Sequence, residues 1–321
     1  MASTLAGCQK EKVPTSSVSS ATNAGKPTTY KIAVIPKATA HSFWLTVKAG
    51  ADSAGREEGA EIIWQGPSQE TQIAEQINIF QNQLNAGVNG IVLAACDAHA
   101  LIRPVKEALE RGVPVVTIDS GLAKQEDPSL CYIATDNVEG GRRAAETLAK
   151  AIGGKGTVGM LPYIKGAVSS DEREKGFREG ISKYPNIQLV SVLYTESDPE
   201  KAINQTQNML TAHPDIAGIF AANEPAGVGA ASVLKQKGLA GKVKLVAYDA
   251  SAEERKALEE GVIQALIVQD PFQMGYKGVK TVLKAIRKEP ITEKFIDSGV
   301  TVVTKENLHT PAVQKLLNPL P

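Results

Sequence analysis

Lys37, His41, Phe43 and Trp44 follow one short apolar run, and Asp97, Asp119-Ser120, Tyr163, Asn223-Glu224, Tyr248-Asp249 and Gln269 follow others. These residue types suit noncovalent recognition of a small polyhydroxylated molecule. Carboxylates and amides exchange hydrogen bonds with paired hydroxyls, and aromatic rings cover apolar C–H faces. Covalent chemistry has less to work with. Gly153-Gly154-Lys155-Gly156-Thr157 lies before a strand and lacks the Gly-Lys-Ser/Thr order, so it reads as a connecting turn instead of a phosphate loop. The four histidines and three cysteines form neither HExxH nor CxxC, and Cys96 and Cys131 read as buried small residues. No catalytic residue, metal or cofactor is expected.

The elements that must position these side chains alternate regularly. Lys31-Ile32-Ala33-Val34-Ile35 reads as a buried strand, and Phe43, Val47, Ala51 and Ala54 form a helical stripe that stops at Gly59. Ile62-Ile63-Trp64 is a strand. Ser68 is expected to cap a helix with Ile73, Ile77, Phe80 and Leu84 on its apolar face. Strand Ile91–Leu93, a helix near 101–109 and strand Val115–Ile118 follow. The order then restarts: strand 157–161, helix 172–182, strand 188–193, helix 199–211, strand 216–221, helix 226–237, strand 243–247 and an apolar run at 263–268. Such alternation implies right-handed βαβ units around parallel sheets.

The two halves also share letters. Gln81-Asn82-Gln83-Leu84 corresponds to Gln207-Asn208-Met209-Leu210, and Val116-Thr117-Ile118-Asp119-Ser120 to Val246-Ala247-Tyr248-Asp249-Ala250. Two similar α/β lobes are expected, with a cleft between the carboxyl ends of their strands. Asp119 and Asp249 then form a pair, one from each lobe. Adjacent helical residues point about 100° apart, so at least one of Phe43 and Trp44 belongs to the core. Lys37, a compact cation with three donors, prefers an anionic or oxygen-dense group. Arg173 lies in the charge run Asp171-Glu172-Arg173-Glu174-Lys175, a pattern that usually marks a solvated helix face.

Composition narrows the class. The chain has 321 residues, enough for about two domains, with 42% hydrophobic and 22% charged residues. Lys+Arg 35 against Asp+Glu 35 leaves no net charge, which argues against nucleic-acid binding. No apolar run is long enough to span a membrane. Leu5-Ala6-Gly7-Cys8 matches the box at which bacterial lipoprotein precursors are cleaved and their cysteine acylated. Only Met1-Ala2-Ser3-Thr4 precede it, so the charged and apolar leader is expected to be absent from this chain. Residues 9–29 are rich in Ser, Thr and Pro and read as a tether.

From about Tyr30 to Val303 the chain resembles the periplasmic sugar-binding proteins of ABC importers, in the ribose-binding (type I) group. Phe43-Trp44, Val115–Asp119, Ala134-Thr135-Asp136-Asn137, Gly140-Gly141 and Arg173-Glu174-Lys175-Gly176-Phe177 carry the likeness, with Phe220–Asn223, Tyr248-Asp249 and Gln269. The resemblance implies stacking by Phe43 and Trp44, and hydrogen bonding by His41, Asp119, Arg173, Asn223, Asp249 and Gln269. With Lys37, Ser120 and Tyr248 at strand ends, these residues make up the expected ligand site. It further implies chain crossings near Thr135-Asp136, Gln269-Asp270 and Asp297-Ser298, with helix 272–287 returning to the first lobe. The expected division is tether 1–29, an N-terminal lobe of 30–135 plus 270–297, and a C-terminal lobe of 136–269 plus 298–321.

Pentose binders of this group carry Arg where this chain has Ser120, Asn where it has His41, and a small hydroxyl residue where it has Lys37. Ile35-Pro36-Lys37, Trp64-Gln65-Gly66-Pro67 and Asp119-Ser120 look like the autoinducer-2 receptor branch. What the resemblance implies is a monomeric, lipid-anchored, extracytoplasmic receptor that delivers a sugar or polyol to an ABC permease and its ATPase. A signal or chemosensory receptor is the alternative, and an enzyme on the same scaffold a more distant one.

Overall fold

The computed structural model describes residues 1–2 and 29–319, so Cys8 and the tether lie outside the described residues. From Lys31 the chain runs β1 (Lys31–Ile35), α1 (Ser42–Glu58), β2 (Glu61–Trp64), α2 (Ile73–Asn85), β3 (Gly90–Leu93), α3 (Ile102–Glu110), β4 (Val115–Ile118) and β5 (Tyr132–Ala134). It continues α4 (Asn137–Ala151), β6 (Gly156–Leu161), α5 (Val168–Ile181), β7 (Ile187–Val192), α6 (Pro199–Ala212), β8 (Gly218–Ala221), α7 (Glu224–Gln236), β9 (Lys244–Tyr248), α8 (Ala252–Glu259) and β10 (Ala265–Val268). Then come α9 (Pro271–Ile286), β11 (Phe295–Asp297), β12 (Thr301–Val303) and α10 (Pro311–Leu317).

Two six-stranded sheets result, ordered β11-β5-β4-β3-β1-β2 and β12-β10-β9-β8-β6-β7. The orders are the same once each strand is matched to its repeat partner. All pairings are parallel except that of β12 with β10. The expected two-lobed α/β architecture is therefore the observed one. The chain passes from one sheet to the other after β5, after β10, and between β11 and β12.

Period-two alternation builds the core. In β1, Ile32 and Val34 enter the layer under α1 and α9, while Ala33 and Ile35 enter the layer under α2 and α3. In β8 and β9, Ile219, Ala221, Leu245 and Ala247 face one layer, and Phe220, Val246 and Tyr248 the other. With both faces covered, the strands read as continuous apolar runs.

Some expectations are corrected. Ser68 does not cap α2: its hydroxyl donates to Gln72 Oε1 at 2.9 Å, and the helix starts only at Ile73. Helix α5 begins at Val168, ahead of Glu172, because the buried Ser169 and Ser170 form its first turn. Polar residues there conceal the helix start from an apolar-periodicity reading. Periodicity also missed β5, β11 and β12, at three residues each too short to show alternation.

Candidate ligand-binding cleft

Both aspartates stand one residue beyond their strands. Asp119 follows β4 and donates its backbone N–H to Ile133 O at 3.0 Å, and Asp249 follows β9 and donates to Ile267 O at 2.9 Å. Each has left-handed backbone, φ 56° and 78° respectively. Aspartate tolerates this region better than most residues, and such outliers concentrate where structure serves a site.

Around Asp119 the first lobe assembles a charged cluster. Lys37 is 2% exposed, with its Nζ 3.2 Å from Asp119 Oδ2 and 3.4 Å from Glu70 Oε2. Burial pushes the ammonium pKa down, but the two carboxylates outweigh it and hold the lysine above its ordinary range. Burial likewise works to raise the Glu70 pKa, and Lys37 and His41 bring it below the ordinary value. Trp44 donates its indole N–H to Glu70 Oε1 at 3.0 Å and meets Phe43 edge-on, ring centroids 5.0 Å apart. Trp44 is thus the more buried of the two aromatics, and Phe43 the more open. His41 stands at the rim, Nδ1 4.0 Å from Glu70 Oε1.

The second lobe supplies a cation of its own. Arg173 lies fully within α5, its Nε donating to Asn137 Oδ1 and its Nη1 to Ala222 O, both at 2.8 Å. Its guanidinium carbon sits 3.7 Å from the Tyr248 ring centroid and 5.4 Å from that of Tyr163. The position depends on close helix packing: a Cβ on Gly176 would run into Val138 O, and one on Gly141 into Arg173 O. The charge run around Arg173 is a solvated face on most sides, yet this member turns inward.

Asp249 is held by its neighbours, with Gln269 Nε2 donating to Oδ1 at 2.7 Å and the Glu224 N–H to Oδ2 at 3.0 Å. Burial pushes its pKa up to about 6, against the pull of Arg173 and Gln269. Asn223 is also engaged, accepting the Ala226 N–H at 3.2 Å and donating to Ser197 Oγ at 2.8 Å.

A cleft holding about 280 Å³ of empty space, part of it open to solvent, lies between the lobes, lined by Lys37, His41, Phe43, Trp44, Asp119, Arg173, Asn223, Asp249 and Gln269 among the expected residues. Ser120 and Tyr248 do not line it. Ser120 Oγ instead accepts the Ser169 N–H at 3.5 Å, and Tyr248 points to the opposite face of β9, beneath Arg173. Glu70, Tyr163, Glu224 and Pro225 complete the wall. Tyr163 and Glu224 were legible as strand-end residues. Glu70 lies in the polar loop Ser68-Gln69-Glu70-Thr71 and carried no signal.

Three lining residues keep a buried oxygen without a hydrogen-bond donor: Glu70 Oε2, Asp119 Oδ2 and Gln269 Oε1. The Lys37 ammonium stands 3.4 Å from the Glu70 oxygen and 3.2 Å from the Asp119 oxygen, so these two face a cation while Gln269 Oε1 does not. Such a site is prepared for a molecule with several donors.

Residues 32–290 match the family model described as the periplasmic binding protein domain. The chain belongs to this family. It is 31% identical over 264 residues to the ribose import binding protein of Escherichia coli, covering 82% of this chain and 87% of that one. Among solved structures, a solute-binding protein of an ABC transporter from Agrobacterium vitis with bound D-fucose is 40% identical, with a TM-score of 0.86 over 88% of this chain and 98% of that one. A carbohydrate transporter solute-binding protein from Agrobacterium radiobacter in complex with D-arabinose is 33% identical, with a TM-score of 0.87, covering 91% and 100%. The fold is that of a type I periplasmic sugar-binding protein.

Proposed function

We propose that this chain captures a neutral monosaccharide or polyol between its lobes and delivers it, unchanged, to an ABC permease driven by its ATPase. The Glu70 and Asp119 oxygens faced by Lys37, together with the donor-less Gln269 Oε1, carry the reading, because hydroxyls on one small molecule would add hydrogen bonds to all three. Tyr163, Phe43 and Trp44 offer ring surface for the C–H face of a sugar. Named relatives and sugar-bound neighbours support the same class.

Neutrality follows from the charges. Lys37 is already balanced by Asp119 and Glu70, and Asp249 and Glu224 add further carboxylates to the wall. Among the described lining residues, an anionic borate diester would meet this excess with no cation outside the Lys37 cluster except Arg173, whose Nε and Nη1 are engaged. The autoinducer-2-like reading is therefore the weaker one. The ligand roles of the lining residues belong to this proposal, as does the division into lobes of 30–135 plus 270–297 and 136–269 plus 298–321. So do the extracytoplasmic location, the acyl anchor at Cys8 and the monomeric state.

Calorimetry with D-ribose, D-allose, D-fucose, D-arabinose and xylitol, alongside autoinducer-2 with and without borate, tests it. One neutral sugar or polyol should bind and be recovered intact by mass spectrometry. Binding of autoinducer-2 alone, or recovery of an altered ligand, would overturn the assignment.

A further inference from the structure

We infer that Glu224 is an interlobe latch, which completes the N-terminal cap of α1 from the opposite lobe and holds a closed population even without ligand. The motive is an unfinished helix end. The first N–H groups of any helix need partners from outside it. Helix α1 runs Ser42–Glu58, and His41 at its cap position makes no side-chain hydrogen bond to it. Its first turn contains no acidic residue.

Glu224, the first residue of α7 in the other lobe, fills this place. Its Oε1 accepts the Ser42 N–H at 3.2 Å, and its Oε2 accepts the Phe43 N–H at 3.0 Å and the Ser42 hydroxyl at 2.8 Å. One carboxylate thus lies at the positive ends of two helices, its own α7 and the facing α1. Separation of the lobes must break all three bonds. Every donor and acceptor belongs to the protein, so the latch needs no ligand to form.

The latch is also tied to the site. The Glu224 N–H donates to Asp249 Oδ2 at 3.0 Å, and Asn223, next to it, caps α7 through the Ala226 N–H. Glu224 and Phe43 both line the cavity, so the residue that closes the cleft borders the ligand. We assign Glu224 as a positioning residue for closure, acting through α1. The assignment rests on the two-lobed capture reading only for its second test.

Ligand-free solution scattering of the parent protein, Glu224→Ala and Ser42→Ala provides the first test. Ser42 borders the latch but not the cavity about the ligand. The radius of gyration should be largest for Glu224→Ala, intermediate for Ser42→Ala and smallest for the parent. Identical ligand-free profiles overturn the latch, whichever ligand binds. Stopped-flow tryptophan fluorescence with whichever sugar binds is the second. Both variants should dissociate faster with little change in association, and Glu224→Ala should lose affinity about two- to thirtyfold, the range for a lost N-cap. A loss of affinity confined to Glu224→Ala, with all three ligand-free scattering profiles identical, would reduce Glu224 to a ligand contact.

Discussion

Asp119 and Asp249 occupy the same place in the two halves of this molecule. Each is the first residue beyond its strand, each donates its N–H to the neighbouring strand, and each has left-handed backbone with φ 56° and 78°. Their surroundings differ. Asp119 faces the Lys37 ammonium, 3.2 Å from its Oδ2, while both Asp249 oxygens accept hydrogen bonds from neutral protein donors. The pair is therefore symmetric in backbone and asymmetric in chemistry, with Asp119 tied to a cation and Asp249 to neutral donors.

Asp119→Asn and Asp249→Asn keep a residue type that tolerates left-handed backbone and remove the charge. Each should weaken sugar binding at least roughly tenfold, since a hydrogen bond to a charged group contributes about 1.5–3 kcal/mol. The larger loss is expected for Asp119→Asn. Calorimetry checks this, with circular dichroism confirming the fold.

The raised pKa of Asp249 makes a prediction about pH. The carboxyl titrates near 3.8 in the unfolded chain and at about 6 in the folded protein, so folding favours its protonated form. That stabilisation is complete below the unfolded value and is lost as pH rises through about 6. At pH 7 the ionised group costs the fold on the order of 3 kcal/mol. Urea unfolding should find Asp249→Asn more stable than the parent at neutral pH, the two converging near pH 4. Ligand hydroxyls favour the ionised form, so parent affinity should fall below pH 6. Parallel stability curves for the two proteins would refute the assignment.

The lobes and much of the cleft were legible because strand ends repeat. Asp119 and Asp249 sit in matching letters after matching apolar runs, which places both at the same sheet edge. The same rule failed at Tyr248, because successive strand residues point to opposite faces and Asp249 took the cleft side. Arg173 was legible only through the family resemblance, since its helix carries charges nearly all round. Glu70 was not legible at all. Its loop is uniformly polar, and only the tertiary approach of Lys37 and Trp44 makes one member buried.

Gly176→Ala tests whether helix packing aims Arg173. The added methyl would meet the Val138 carbonyl on α4, so α5 must move away. Overpacking of this kind typically costs about 1–3 kcal/mol. Stability should fall by that amount, and sugar affinity should fall with it although Gly176 touches no ligand. A less stable protein with parent affinity would show that Arg173 is held by Asn137 and Ala222 alone.

Lys37→Met separates a ligand contact from a structural charge. As a strand-end cation offering one charged hydrogen bond, Lys37 would be worth about 1–2 kcal/mol of affinity and little stability. The structure implies more, because Lys37→Met leaves Glu70 and Asp119 buried without their cation. Removing one partner of a buried ion pair destabilises by about 3–5 kcal/mol, and here one cation serves two carboxylates. Chemical denaturation should show a loss of this size at pH 7. The loss should shrink as pH falls, because burial works to raise the Glu70 pKa and Lys37 is the strongest of the influences that lower it, so without the lysine the carboxyl protonates more readily. Adding Glu70→Gln should restore part of the stability, since it removes one of the stranded charges while keeping an acceptor for the Trp44 indole. If Lys37→Met unfolds like the parent and only its affinity changes, the lysine serves the ligand and not the cluster.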